Sequence, residues 1–130
     1  LIDDSYNANP GSVRAAIDTL AGFGGRRLLV LGDMAELGPD APGLHREVGA
    51  YAASHGLDGF YGCGPLSRLA AEAFGANAFT FADKEQLARA LRDILDADTT
   101  VLIKGSRAAG MEDIVRLLET GGAGHAALAD

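Results

Sequence analysis

Apolar residues recur along this chain with two different periods. Val13, Ala16, Ile17 and Leu20 are spaced to line one face of a helix, and Asn9-Pro10-Gly11-Ser12 before them carries the residue types that start one. Leu28-Leu29-Val30-Leu31 is instead a continuous apolar run ended by Gly32, the pattern of a strand buried on both faces. The alternation continues. Leu44, Val48 and Tyr51 predict a second helix that closes near His55-Gly56, and 59–63 reads as a weaker strand. A short helix over 66–74 stops at Gly75, and a strand follows over 78–81. Asp83, with Gln86 three residues on, reads as a capping box for a helix whose apolar face is Leu87, Leu91, Ile94 and Leu95. Residues 100–103 form the clearest strand, and Met111, Ile114, Val115 and Leu118 line a last helix. After Glu119 the pattern fades into Gly121-Gly122-Ala123-Gly124 and an Ala-rich end. A folded domain is therefore expected over 1–120 and a flexible tail over 121–130.

Strand–helix alternation with apolar strands predicts an α/β fold, Rossmann-like, with a mostly parallel sheet and helices on both faces. Crossovers are expected to be right-handed. Ligands in such folds bind at the carboxyl ends of the strands. Those ends are Asp3-Asp4-Ser5, Gly32-Asp33-Met34, Gly62-Cys63-Gly64, Phe81-Ala82-Asp83 and Lys104-Gly105-Ser106-Arg107. The Gly, Pro and Asp-rich segment from Gly32 to Gly43 is the one long connection, and long loops in small domains often carry function.

Composition narrows the function classes. The 130 residues make one domain, 48% hydrophobic and 22% charged, which is a folding composition. No apolar run approaches the ~20 residues of a membrane span. A net charge of −7 argues against nucleic-acid binding, because an acidic surface repels phosphates. The single cysteine, Cys63, allows neither an internal disulfide nor a cysteine-based zinc site. The chain begins at Leu1 with no signal peptide, so a cytoplasmic location is expected, and the abrupt start suggests a piece of a longer polypeptide.

Four clusters could carry chemistry. Asp3-Asp4-Ser5-Tyr6-Asn7-Ala8-Asn9-Pro10 concentrates carboxylates and amides suited to ribose hydroxyls or base edges; the plain alternative is a loop capped by Asn9 or Ser12. Lys104-Gly105-Ser106-Arg107 can hold a carboxylate or phosphate, or be a solvated loop. Asp33, Glu36 and His45 could form a metal or acid–base set, against the stronger alternative of two loop acids and a partly buried histidine. Cys63 reads as a small buried apolar group. Gly62-Cys63-Gly64-Pro65-Leu66-Ser67 looks like a dinucleotide fingerprint with Asp83 as the ribose acid, but Pro65 removes an amide that could face phosphate. A stand-alone dinucleotide-binding module is the alternative this leaves. A receiver-like regulator is a third reading, resting on Asp3-Asp4 and Lys104, and the Gly62-Cys63-Gly64 strand end argues against it. A Walker A motif is absent, as the chain has no Gly-Lys pair.

Three blocks together are specific: residues 3–12, then Leu31-Gly32-Asp33-Met34-Ala35-Glu36-Leu37-Gly38, then 101–107 followed by Met111-Glu112. In order and spacing they closely resemble the carboxy-terminal domain of a Mur ligase, of the type that joins D-alanyl-D-alanine to UDP-N-acetylmuramoyl-tripeptide. His45 also falls where that type tends to carry a histidine. The resemblance implies a three-domain enzyme of peptidoglycan synthesis. An N-terminal domain binds the UDP-sugar, a central ATPase domain carries the P-loop and Mg2+ ligands, and this third domain closes on both. ATP activates the substrate carboxylate as an acyl phosphate, which the dipeptide amine attacks. The resemblance assigns Asp4, Asn7 and Asn9 to the nucleotide. It assigns Lys104, Ser106 and Arg107 to the dipeptide, with Asp33 and Glu36 shaping that pocket or the interdomain contact. It also implies that this domain binds ATP and Mg2+ weakly and is inactive alone.

Overall fold

Asn9 starts the first helix through a reciprocal cap. Its Oδ1 accepts the Ser12 N–H at 2.9 Å while its own N–H donates to Ser12 Oγ at 3.0 Å, and Pro10 supplies a preset first turn. The structure is a computed structural model that describes residues 1–4, 8–120 and 127–128, with side chains for 1–2 and 8–119. Its strands are β1 (Ile2–Asp4), β2 (Arg26–Gly32), β3 (Gly59–Cys63), β4 (Ala78–Phe81), β5 (Thr99–Lys104) and the two-residue β6 (Ala127–Leu128). The helices are α1 (Pro10–Ala21), α2 (Ala41–Ser54), α3 (Pro65–Phe74), α4 (Lys84–Arg92) and α5 (Glu112–Thr120). Short 3₁₀ turns sit at Gly38–Asp40 and Arg107–Ala109. The expected flexible tail over 121–130 lies mostly outside the described residues, apart from the backbone of β6.

All six strands run parallel in the order β4-β3-β2-β5-β1-β6. Alternate residues of β2 feed the two sides of the sheet. Leu29 and Leu31 join Val13, Ile17, Val48, Ala70 and Phe74 from α1, α2 and α3. Leu28 and Val30 join Leu87, Leu91, Ile114 and Leu118 from α4 and α5. From β1 the chain steps through β2 and β3 to β4 in one direction with its helices on one face. It then returns to β5 with its helices on the other. Both the Rossmann-like class and the two-sided cover expected from the sequence are present. α2 and α3 lie so close that a Cβ at Gly49 would overlap the Ala70 carbonyl.

One boundary differs from expectation. α4 ends at Arg92, so Ile94 and Leu95 are not on its face; they turn into the core through bonds of both amides to the Leu91 carbonyl. The acidic turn Asp96-Ala97-Asp98 then enters β5, with Asp96 accepting the Asp98 N–H and the Thr99 hydroxyl. Two arginines secure this amino-terminal end of the sheet. Arg27 donates to the carbonyls of Ala21 at 2.8 Å and Gly56 at 2.6 Å, where α1 and α2 end, and pairs with Asp58. Arg26 donates to the Ile94 carbonyl beyond α4. Guanidinium groups there satisfy carbonyls that the helices leave open and complement their negative ends.

Candidate functional site

The loops after β2 and β3 lead to helices on one face of the sheet, and the loop after β5 leads to the other. Adjacent strands whose connections diverge leave a crevice at their carboxyl ends, and β2 and β5 are such a pair. A cleft of about 530 Å³ opens there, with Asp33, Glu36, Leu37, Cys63, Leu66 and Ser106 among its walls. On the α5 side, buried Met111 packs over Gly32 and Gly105; a Cβ on either would lie 2.5 Å from its side chain. These glycines let the two strand ends approach beneath the plug.

Asp33 ties the cleft walls to one another. Its Oδ1 accepts the Ser67 N–H at 2.7 Å and its Oδ2 the Leu66 N–H at 3.2 Å, so its carboxylate sits on the amino-terminal end of α3. That helix has no cap of its own, because its N-cap is Gly64 and Pro65 follows. Gly64 has φ 123°, and a Cβ there would overlap the Asp33 carboxylate, so only glycine fits. The main-chain carbonyl of Asp33 accepts from Ser106 Oγ at 2.9 Å and from the Ser106 N–H at 3.4 Å. Sequence reasoning did not find this cap. The signal for it was a helix opening on Gly-Pro with no Ser, Thr, Asp or Asn, which needs a cap from elsewhere. The fingerprint 62–67 now has a physical reading: the helix terminus that would take a dinucleotide phosphate holds an internal carboxylate.

His45 is fully buried and holds the long loop. Nε2 accepts the Met34 N–H at 3.0 Å, so Nδ1 carries the hydrogen and donates to the Ala41 carbonyl at 2.7 Å. Both ring nitrogens are committed to backbone, and Glu36 is exposed, so Asp33, Glu36 and His45 do not converge as a metal or acid–base set. Glu36 has φ 61° and Gly38 φ 71°, a left-handed conformation uncommon for a glutamate. The loop is therefore held in shape by the buried histidine on one side and by Asp33 on the other.

The remaining predicted residues separate. Lys104 is 1% exposed, with Leu31 and Asp4 as its register neighbours on β2 and β1. Ser106 is buried and bonded to Asp33, whereas Arg107 is exposed at the start of its 3₁₀ turn. Asn9 is exposed, and its Oδ1 serves as the α1 cap. Asn7 lies outside the described residues, as does the side chain of Asp4.

Cys63 is half-buried rather than buried. It lies between the cleft and a second hollow of about 770 Å³ formed with Asp83, Lys84, Asp113 and Arg116. Burial pushes its thiol pKa up, against a lowering by Lys84. Asp83 caps α4 through the Gln86 N–H at 2.8 Å, which accounts for the residue that mimicked a ribose ligand. In the second hollow Lys84 lies 3.1 Å from Asp113, and Arg116 pairs with the same carboxylate. The Lys84 hydrogen bond, more than any other influence, holds the Asp113 carboxyl below its ordinary range. These cations are engaged by protein acids, so the cleft at β2 and β5 is the better candidate.

Residues 1–107 match the family model described as Mur ligase, glutamate ligase domain. The UDP-N-acetylmuramoyl-tripeptide–D-alanyl-D-alanine ligase of Escherichia coli is 44% identical, over 94% of this chain and 27% of its own. The ligase of the same name from Haemophilus influenzae is 39% identical over 92% of this chain and 27% of its own. The crystal structure of MurF ligase from Thermotoga maritima, in complex with ADP, superposes with a TM-score of 0.80 at 28% identity, covering 89% of this chain and 27% of that one. The chain thus spans about a quarter of the length of the curated relatives it matches.

Proposed function

The chain belongs to the Mur ligase family as its glutamate ligase domain, and from that premise we propose that it is the carboxy-terminal domain of an ATP-dependent, MurF-type ligase. The enzyme would join D-alanyl-D-alanine to UDP-N-acetylmuramoyl-tripeptide in peptidoglycan synthesis. The observation that carries this reading is that the 31–38 block, through Asp33 to Gly38, and the 101–107 block, through Ser106, meet at one cleft at the sheet's switch point although far apart in sequence. The other domains of the same polypeptide, a UDP-sugar domain and a central ATPase, are its proposed partners. ATP and a UDP-sugar as substrates place the work in the cytoplasm.

The cleft suits a small dipeptide with opposite charges at its ends. Arg107, exposed between the cleft-lining Ser106 and Ala108, is the guanidinium we assign to the terminal carboxylate. Buried Lys104, two residues before Ser106 at the end of β5, would add positive potential at this strand end, which favours the dipeptide carboxylate or a developing oxyanion. Glu36, exposed in the cleft wall, can accept from the amine and keep it oriented. Small walls at Ala35, Ala41, Ala108 and Ala109 leave room for methyl side chains. Ser106 and Asp33 complete the pocket.

The described residues do not fit a triphosphate by themselves. No Walker A lysine is present, and the glycine-turn helix end at Gly64 is filled by Asp33. ATP and Mg2+ would be gripped chiefly by the central domain, with Asp4, Asn7 and Asn9 the residues of this domain assigned to the nucleoside. When bound, ATP would supply the phosphoryl group that activates the tripeptide carboxylate as an acyl phosphate, and this domain's residues would bind and orient the amine that displaces phosphate.

The test is a titration of the isotope-labelled chain with D-alanyl-D-alanine, followed by amide NMR. Shifts concentrated in 33–38 and 104–109 are expected, and shifts elsewhere or none at millimolar dipeptide would count against the site. In the full-length enzyme, ADP release should require both the tripeptide nucleotide and the dipeptide.

A further inference from the structure

Asp33 lies in the cleft wall, yet its polar atoms face protein. Both carboxylate oxygens accept α3 amides, and its carbonyl takes both donors of Ser106. One residue thus joins the loops after β2, β3 and β5. We propose that Asp33 is a positioning residue rather than a substrate ligand: an internal anion on α3 that sets the loop carrying Ser106 and Arg107 in register with the loop carrying Glu36. The inference rests on the dipeptide reading only for its kinetic consequences.

The physical case has three parts. A carboxylate at a helix amino terminus meets two open N–H groups and the positive end of the helix dipole, which orients it strongly. Gly64, with its positive φ and no space for a Cβ, is shaped around that carboxylate, so the contact is built into the turn. Ser106 is buried with its hydroxyl hydrogen and its N–H directed at one acceptor, so moving the Asp33 main chain moves the start of the 3₁₀ turn that presents Arg107. A displacement of the order of 1 Å at a positioning group is enough to lower binding or rate substantially.

The experiment compares Asp33→Ala and Asp33→Asn in the full-length ligase and in the labelled chain. In the ligase, D33A is expected to raise KM for D-alanyl-D-alanine about tenfold, with much smaller changes in KM for ATP, and D33N to fall between D33A and wild type. Formate in the vacated space should restore part of the lost affinity in D33A and do nothing to the wild type. Dipeptide KM unchanged in both variants, or no restoration by formate, would overturn the proposal. In the labelled chain, where no substrate is needed, D33N should shift the amides of Leu66, Ser67 and Ser106 together. If Leu66 and Ser67 move while Ser106 stays, the loops are not coupled and the proposal fails whatever the substrate. If the wild-type ligase does not use the dipeptide but all three amides move, the functional reading falls and the tie stands. D33N keeps the side-chain shape and one acceptor, so it carries the test if D33A does not fold.

Discussion

The two ends of the sheet solve one problem with opposite charges. At the amino-terminal end, Arg27 and Arg26 cover the open carbonyls where α1, α2 and α4 finish. At the carboxyl end, Asp33 covers the open amides where α3 begins. Helix polarity requires this pairing of signs. The difference lies in what surrounds each anchor. The arginines span gaps between elements that are finished there. Asp33 and His45 instead hold loops that border a cleft, one of them with a glutamate in left-handed conformation. Loss of an anchor at the first end should therefore change stability alone, and loss at the second should also change the ligand site.

The largest effect should come from Gly64→Ala. A side chain at φ 123° adds backbone strain and drives into the Asp33 carboxylate, so urea unfolding should show a loss of about 3 kcal/mol, with altered amide shifts around the cleft. Arg27→Ala comes next. It removes bonds to two helix ends and an ion pair, and should cost about 2–3 kcal/mol. Dipeptide-induced shifts should be the same as in wild type, and a change in them would break the contrast between the ends. His45→Leu keeps the volume but strands the Met34 N–H, at a cost of about 1–2 kcal/mol and with a loosened 33–40 loop. His45→Gln returns an acceptor near the Nε2 position and should recover part of both, measured by unfolding and by amide exchange at Met34.

The smallest effect is on pH dependence. Asp113 is held below the ordinary carboxylate range chiefly by the Lys84 hydrogen bond, and Asp96 chiefly by the Thr99 hydroxyl. A carboxyl with a lowered folded pKa adds stability above its unfolded value and loses it as pH falls through the folded one. Thermal midpoints should therefore decline as pH drops through and below the ordinary carboxylate range, and Asp96→Asn or Asp113→Asn should each flatten the decline slightly. Tyr51 acts at the opposite limit. Its pKa is raised mainly by donation to Asp18, so its contribution is lost as pH rises past the usual phenol value.

Much of the fold was legible because its signals are local. The apolar run 28–31, the run 100–103 and the caps at Asn9 and Asp83 act over a few residues and are present, although Asp83 caps through the Gln86 N–H alone and not as the reciprocal box its spacing suggested. The end of α4 was misread because Ile94 and Leu95 continue a helical spacing while their burial is achieved by a turn. The candidate site was legible as motifs and not as geometry. Residue type alone made Asp33, Ser106 and Lys104 equivalent as ligands. Burial and hydrogen bonding separate them from Arg107 and Glu36, which face outward.

By itself the sequence determined the alternation of elements, the parallel class of the sheet, the candidate blocks and their family likeness. These depend on side-chain type at short spacing, where periodic burial and capping act. Only the tertiary structure decided that a carboxylate in one loop caps a helix more than thirty residues later, that a histidine on α2 fixes the loop before it, and that Met111 seals two glycines on different strands. Such contacts are made when the packed sheet brings distant segments within hydrogen-bonding or van der Waals reach, a distance that chain spacing does not encode.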